Sequence, residues 1–269
     1  MRAVSQVALV AVIVAAMTVP GGTVSVDSTA AVSPLNSSIE SIAPTRGAVV
    51  GVAHPVVVTF NKNIVNRLAA ERAIQVRVTP AMTGKFEWLE NNVVQWVPDR
   101  YWPSYSTVLL SVGSMRTEFQ TGPAVVGVAD ISEHTFTVTI DGVGAGGTLS
   151  LPAPHHLPHA GEEGVLLASL GRPEYATPVG NYTVLGKDRT VKMDSSSVGV
   201  PVDSPDGYLL DVDYAVRITR RGLFVHSAPW AVQSIGFDNV SHGCISLLPA
   251  AAEWYFNTAN VGDPILVQE

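Results

Sequence analysis

The sequence predicts a mainly β protein, with a small β-sandwich followed by a second β-rich domain that carries one late helix. Short apolar or alternating runs recur at intervals of roughly 8 to 15 residues, as strands do. Turn formers separate them, with Gly 23 and Pro 18 among 269 residues. A single late stretch opens with proline and continues in helix-forming residues. At ~100–200 residues per domain the length fits one or two domains. The 46% hydrophobic fraction can fill a core, and the net charge of −7 argues against a nucleic-acid binder, which carries a basic face.

The first 26 residues read as a targeting segment. Arg2 supplies a positive start, and Val7 to Val19 is an apolar stretch of 13 residues closed by Pro20, Gly21 and Gly22. That length fits the apolar part of an export signal better than a membrane span, which needs ~20 residues. Two outcomes stay open: cleavage and secretion, or retention as an N-terminal anchor tethering the chain to a membrane. No Ala-x-Ala site stands at the expected cleavage position, and no cysteine near the leader allows lipoprotein attachment.

Residues 27–40 are small and polar and read as a linker. In residues 41–121, strands are expected at Val56–Phe60, Ala73–Val78, Val93–Val97 and Thr107–Val112, separated by Pro98, Pro103 and Gly113. No His/Cys cluster or paired carboxylates stand out there, so this part reads as a binding or spacer domain. Gly122–Pro123 marks a boundary. In residues 123–269 strands are expected at Thr135–Ile140, Val165–Ala168, Tyr182–Leu185, Leu209–Ile218, Leu223–Val225 (ending at His226) and Ile265–Val267. The helix begins with Pro249 at its first position, runs through Ala250, Trp254, Tyr255 and Thr258, and is expected to be capped by Gly262.

Cys244 is the single cysteine. An exported chain with one cysteine has no internal disulfide, so the thiol is buried, paired between chains, or chemically used. His226 ends an apolar strand 18 residues earlier. A thiol attacks as thiolate, and a neighbouring imidazole can take its proton and hold the two as an ion pair. Such a pair is expected here, with alkylation persisting well below pH ~8.5, where a free thiol titrates. Gly243 permits an unusual backbone angle, and the Gly243 and Cys244 amides are candidates to face an oxyanion. A lone thiol beside Gly and His, however, also fits an inert buried cysteine.

The longer pattern separates the two readings. His, seventeen residues, Cys, ending in Ser241-His242-Gly243-Cys244, resembles the signature of the L,D-transpeptidase (YkuD-type) family. His226-Ser227-Ala228-Pro229-Trp230 looks like the base-bearing segment of its mycobacterial and actinobacterial branch. Thr177-Pro178-Val179-Gly180-Asn181-Tyr182 resembles the family's T-P-x-G-x-Y segment. Met193-Asp194-Ser195-Ser196 through Pro201, with Asp206-Gly207-Tyr208, resembles its mobile lid, and Trp96-Val97-Pro98 with Trp102-Pro103 is similar to the Ig-like domain that precedes the catalytic domain in that branch.

The resemblance covers about residues 40–269. It implies an Ig-like β-sandwich followed by a β-rich L,D-transpeptidase catalytic domain, in an exported enzyme of the periplasm or cell wall. By the same resemblance, Cys244 attacks the third-residue carbonyl of a peptidoglycan tetrapeptide stem and releases D-Ala. The acyl group then passes to a diaminopimelate side-chain amine of an acceptor stem. His226 is implied as base and later acid, oriented by Ser227 chiefly through its carbonyl. Tyr208 and the Gly243 and Cys244 amides are implied around the oxyanion or donor stem, Arg221 and Gly222 along the substrate cleft, and His242 as a residue shaping the site. Carbapenems are implied as inhibitors, and neither metal nor organic cofactor is implied.

The sequence departs from the family at Ser246, where asparagine is usual. Serine is shorter and lacks the amide's donor pair. Since the sequence ends at Glu269, soon after the last strand, the C-terminal extension of some relatives is expected to be missing. His155, His156 and His159 resemble a metal tract in composition only, and Gly142–Gly147 lacks the following helix that a phosphate loop needs. The alternative is a cell-wall cysteine peptidase or hydrolase, although many of those place Cys before His. A sortase has the same order but needs a T-L-x-T strand before its Cys and a distant Arg, and neither appears. A non-catalytic wall binder has no use for the His/Cys pair.

Overall fold

The computed structural model describes residues 38–146, 159 and 161–269. The targeting segment, nearly all of the linker, and His155 and His156 lie outside the described residues. The first part holds β1 (Ile39–Ala43), β2 (Val49–Val50), β3 (Val56–Phe60), α1 (Arg67–Ala73), β4 (Ile74–Arg77), β5 (Gly84–Glu90), β6 (Val93–Pro98), β7 (Thr107–Val112) and β8 (Met115–Thr121). The strands form two sheets, ordered β1-β3-β6-β5 and β2-β8-β7-β4. Alternation sets their faces: Val56, Val58 and Phe60 of β3 point inward while Val57 and Thr59 are half-buried. Phe60, Val94 and Trp96 of one sheet share a core with Val108, Leu110 and Phe119 of the other, which makes the unit a sandwich. Trp102 is buried with its ring stacked 5.4 Å from Trp96 and edge-on to Phe119 at 5.9 Å. Its indole N–H donates to the His54 carbonyl at 2.8 Å, so the large ring is buried with its polar atom satisfied.

Two expectations are corrected here. The stretch expected as a strand from Ala73 is preceded by α1, which ends on Ala73. Asn66 starts that helix, its side chain accepting from the Ala69 N–H at 3.0 Å. Ile39 and Glu40, read as linker, belong to β1, because Ile39 pairs with Phe60 across the sheet.

The second part continues with β9 (Val125–Asp130), β10 (Thr135–Ile140), β11 (Val143–Gly144), β12 (Val165–Ser169), β13 (Gly180–Thr183), β14 (Gly186–Asp194), β15 (Leu209–Arg217), β16 (Phe224–Ser227), β17 (Ile245–Leu247), α2 (Pro249–Thr258) and β18 (Pro264–Gln268). The sheet order is β13-β18-β9-β10-β12-β17-β16-β15-β14, with β11 folded onto β10. β17 is buried along its whole length, pairing in parallel with β16 and antiparallel with β12. Tyr255 of α2 meets Phe136 of β10 edge-on at 4.8 Å in the core. Lys187 of β14 donates to the Phe256 and Ala259 carbonyls at 2.8 and 2.6 Å, satisfying acceptors that the end of α2 leaves open.

Pro249 is the first residue of α2, as expected, but the C-cap is Ala259 and not Gly262. Gly262 serves the seam between the two parts. Its φ is +95°, and a side chain there would collide with His54. Across this seam the Gly51 N–H donates to the Val261 carbonyl and the Ala53 N–H to the Gly262 carbonyl, each at 2.8 Å. Tyr105 and Ser104 donate to Asp141 at 2.8 and 2.9 Å. Asp263 is fully buried here, and burial pushes its carboxyl up to about 7, against backbone hydrogen bonds from Asn260 and Val52.

Candidate active site

The site is built where β16 and β17 run side by side. The register pairs Val225 with Ile245 and His226 with Ser246, and Cys244 immediately precedes β17. Side chains two residues apart share a strand face, so Cys244, Ser246 and His226 point the same way. All three line one cavity of about 290 Å³, together with Met193, Tyr208 and Leu210 from the β14–β15 hairpin, Trp230, and His242. The sequence-predicted residues Cys244, His226, Tyr208, His242 and Ser246 thus come together around one space. His226 lies within β16, since the strand runs on through Ser227.

His226 is 4% exposed, and its Nδ1 sits 2.8 Å from the Ser227 carbonyl. A carbonyl only accepts, so Nδ1 carries the hydrogen and the lone pair lies on Nε2. The Trp230 ring stacks on the imidazole, with centroids 6.0 Å apart and 27° between planes. Burial lowers the imidazole to about 4, against the raising effect of the Ser227 hydrogen bond. Cys244 keeps partial access to the cavity, yet its surroundings push the thiol up to about 11, against a backbone hydrogen bond from Phe224. Its Sγ–H donates to the Gly222 carbonyl at 3.7 Å. Burial thus acts on both partners in the same sense, toward a neutral thiol and a neutral imidazole and against an ion pair. Low dielectric disfavours both charged forms at once.

The Ser241–Cys244 turn is held from within. The Ser241 hydroxyl donates to the Cys244 carbonyl at 2.6 Å and accepts from the Gly243 N–H at 3.0 Å. The Gly243 amide, expected to face an oxyanion, is therefore engaged inside the turn in this structure. Gly243 has φ +112°, and a Cβ would approach Leu223 Cδ2 to 3.1 Å. Its carbonyl accepts from buried Thr177 at 2.8 Å, and Thr177 Oγ1 accepts from the Gly171 N–H at 2.9 Å. Thr177 and Ser241 were visible in the sequence as parts of the T-P-x-G-x-Y and S-H-G-C segments, but their service to the turn was missed. Trp230 is visible in the base-bearing segment, but its stacking on the imidazole is not.

His242 sits between the Tyr175 and Tyr208 rings, at 4.7 and 5.0 Å. Burial lowers its pKa, with the Arg172 charge acting the same way. Arg172 pairs with Asp206 at 2.6 Å, tying the lid segment to the loop after β12. Tyr208 is held by Ser195, whose N–H donates to the Tyr208 carbonyl at 3.0 Å while its hydroxyl accepts from the Tyr208 N–H at 3.0 Å. Its phenol is pushed up by burial, and by the charge of Cys244 when that group is ionised, so it stays a donor. Arg221 and Gly222 line a separate groove of about 840 Å³ with Lys192, Arg217 and Arg220, and Tyr208 and Met193 border both spaces.

His159 has both ring nitrogens facing carboxylates, Glu133 at 3.0 Å and Glu162 at 3.1 Å. These bonds raise its pKa and leave no lone pair for a metal. Among the described residues, no group of three or more His, Cys, Asp or Glu is arranged to hold a metal ion, and no helix is long and apolar enough to cross a membrane. The described part of Gly142–Gly147 enters the β10–β11 hairpin.

A family model for a bacterial Ig domain matches residues 14–115, and one for the L,D-transpeptidase catalytic domain matches residues 124–267. Probable L,D-transpeptidase 3 of Mycobacterium tuberculosis is 64% identical over 272 residues, spanning 100% of both chains. The crystal structure of L,D-transpeptidase 3 from that organism with a faropenem-derived adduct is 66% identical, covering 87% of this chain and 100% of that one, with a TM-score of 0.78. The structure of LD transpeptidase LdtMt1 in complex with imipenem is 48% identical, covering 86% and 99%, with a TM-score of 0.75. In sequence and in fold, the chain belongs to the L,D-transpeptidase family.

Proposed function

We propose that the protein is an exported peptidoglycan L,D-transpeptidase that works through a Cys244 thioester. The observation that carries this reading is the parallel β16–β17 register, which gives His226, Cys244 and Ser246 a common face on one cavity. Cys244 Sγ turns from the Gly222 carbonyl toward His226, and its proton moves to Nε2 as sulfur bonds to the third-residue carbonyl of a tetrapeptide stem. The Cys244 N–H and the Tyr208 hydroxyl face the developing oxyanion. The tetrahedral species collapses, the C–N bond breaks, and D-Ala leaves with the proton from His226. His226 then takes a proton from the diaminopimelate side-chain amine of an acceptor stem as that nitrogen attacks the thioester. Sulfur departs, is reprotonated by His226, and a cross-link joins the third residues of two stems.

Ser227 is a positioning residue, since its carbonyl fixes which imidazole nitrogen is free. Buried Ser246 offers a hydroxyl to the donor stem within the cavity. The groove with Arg217, Arg220 and Arg221 suits the carboxylates of a stem peptide, because guanidinium and carboxylate match in a planar, two-bond geometry. A carbapenem is read as an inhibitor because its lactam carbonyl takes the place of the donor acyl group. The apolar leader supports export to the periplasm or wall, whether as a secreted or a tethered protein. The test is mass spectrometry of products from a disaccharide-tetrapeptide. Dimers lighter than two monomers by one D-Ala, linked between third residues, are expected. Tripeptide monomer alone would identify a wall cysteine hydrolase instead.

A further inference from the structure

Charge is divided unevenly along this acidic chain. Residues 38–121 carry eight Lys and Arg against six Asp and Glu, while residues 123–269 carry seven against sixteen. Part of the positive excess gathers on the outer face of the β2-β8-β7-β4 sheet. A groove of about 610 Å³ there is lined by Arg46, Arg77 and Arg116, with Leu109 and Glu118 among its other residues.

The register explains the grouping. Arg77, Leu109 and Glu118 lie opposite one another across β4, β7 and β8, and Gln75, Ser111 and Arg116 form the next outward row. Neighbours in such a row stand about 5 Å apart, and Arg77 and Arg116 stand in different rows on either side of β7, placed to meet separate anionic groups of one polymer. The Gly47 N–H donates to the Glu118 carbonyl at 2.9 Å, which brings Arg46 to the same end of the face. Leu109 is 51% exposed in the middle of the groove. Among the described residues, ion pairs of 4.0 Å or less use Lys85, His159, Arg172, Arg189 and Lys192, and none uses Arg46, Arg77 or Arg116. Three guanidinium groups therefore line the groove around Leu109 with no ion pair to a carboxylate, Arg77 donating instead to the Gln75 side chain at 3.4 Å.

We propose that this groove is a docking site for the peptidoglycan polymer, in which Arg46, Arg77 and Arg116 bind free carboxylates of stem peptides and Leu109 packs against their aliphatic parts. The occupant rests on the wall enzyme reading above. Charge complementarity argues for it: the substrate polymer carries repeated carboxylates, and arginine forks bind carboxylates in pairs of hydrogen bonds. A docked polymer would raise the local concentration of stems for a catalytic part that is itself acidic.

The test uses the full chain with Cys244→Ala, so that no thioester forms, and co-sedimentation with purified sacculi stripped of phosphate polymers by hydrofluoric acid. The added changes Arg46→Gln, Arg77→Gln and Arg116→Gln together should weaken retention about tenfold, for three exposed charge pairs. Glu118→Gln should leave retention as strong or stronger. Amidating the sacculus carboxylates should abolish the difference between the triple variant and its parent. In the Cys244-containing chain, the triple change should leave turnover of a soluble disaccharide-tetrapeptide unaltered, which also reports that the variant is folded and separates this proposal from the catalytic one. Equal retention of the triple variant and its parent would overturn the proposal. A difference that survives amidation, or one seen only on sacculi that keep their phosphate polymers, would overturn it as well.

Discussion

If the catalytic pair rests neutral, His226 can be removed without changing how the free thiol titrates. Transferring a proton from a thiol at about 11 to an imidazole at about 4 costs roughly 9 to 10 kcal/mol, at about 1.36 kcal/mol per pH unit. Were the sulfur turned to within about 4 Å of the imidazole, attraction between the resulting charges would return about 4 kcal/mol at an effective dielectric near 20. About 5 kcal/mol then still favours the neutral pair, by roughly three to four orders of magnitude. The iodoacetamide rate of the free enzyme should rise about tenfold per pH unit from pH 6 to 9 with no acidic plateau. His226→Gln should follow the same curve while losing turnover by about 10²- to 10⁴-fold, the range for a positioned general base. A wild-type plateau between pH 5 and 7.5 that disappears in His226→Gln would mean a preformed ion pair and would refute the reasoning.

Three further outcomes follow from the same geometry. A carbapenem should give one covalent adduct, mapped to the Cys244 peptide and absent from Cys244→Ala by intact-protein mass spectrometry; prolonged incubation leaving the thiol alkylatable would count against the assigned pocket. Gly243→Ala should cut turnover by at least about tenfold and lower Tm, because alanine at φ +112° costs on the order of 1–3 kcal/mol and its Cβ presses on Leu223, whereas unchanged kinetics would show that the turn does not aim the thiol. Asp263, raised to about 7 from an ordinary 3.8, favours the folded state fully below about pH 4 and progressively less as pH climbs through 7, a change on the order of 4 kcal/mol. The Tm of Asp263→Asn relative to wild type should therefore increase between pH 4.5 and 7.5, and parallel curves would place the titration elsewhere.

Much of the architecture was legible because alternation and turn residues carry it. Val56–Phe60, Thr107–Val112 and Thr135–Ile140 have the bounds that their patterns predict. The short α1 escaped because its seven residues give too little periodicity, and Asn66 is ambiguous as a cap without its partner in view. Gly262 was misassigned because its contact, His54, is distant in sequence. The positions of His226 and Cys244 followed from their motif, but the direction in which burial shifts their pKa values did not. It depends on how much water the surrounding residues exclude, and no local pattern records that. The engagement of the Gly243 amide by Ser241 was hidden for a similar reason, since it is a matter of side-chain rotation within the turn.

In the proposed mechanism the Cys244 thiol carries the acyl group between donor and acceptor. Rapid-quench intact-protein mass spectrometry with a tetrapeptide donor and no acceptor tests it most directly. A mass increase equal to the donor less D-Ala is expected on the Cys244 peptide, and it disappears into cross-linked product when an amine-bearing stem is added. Cross-linked product forming from the Cys244→Ala protein, or an acyl group found on any other residue, would contradict it.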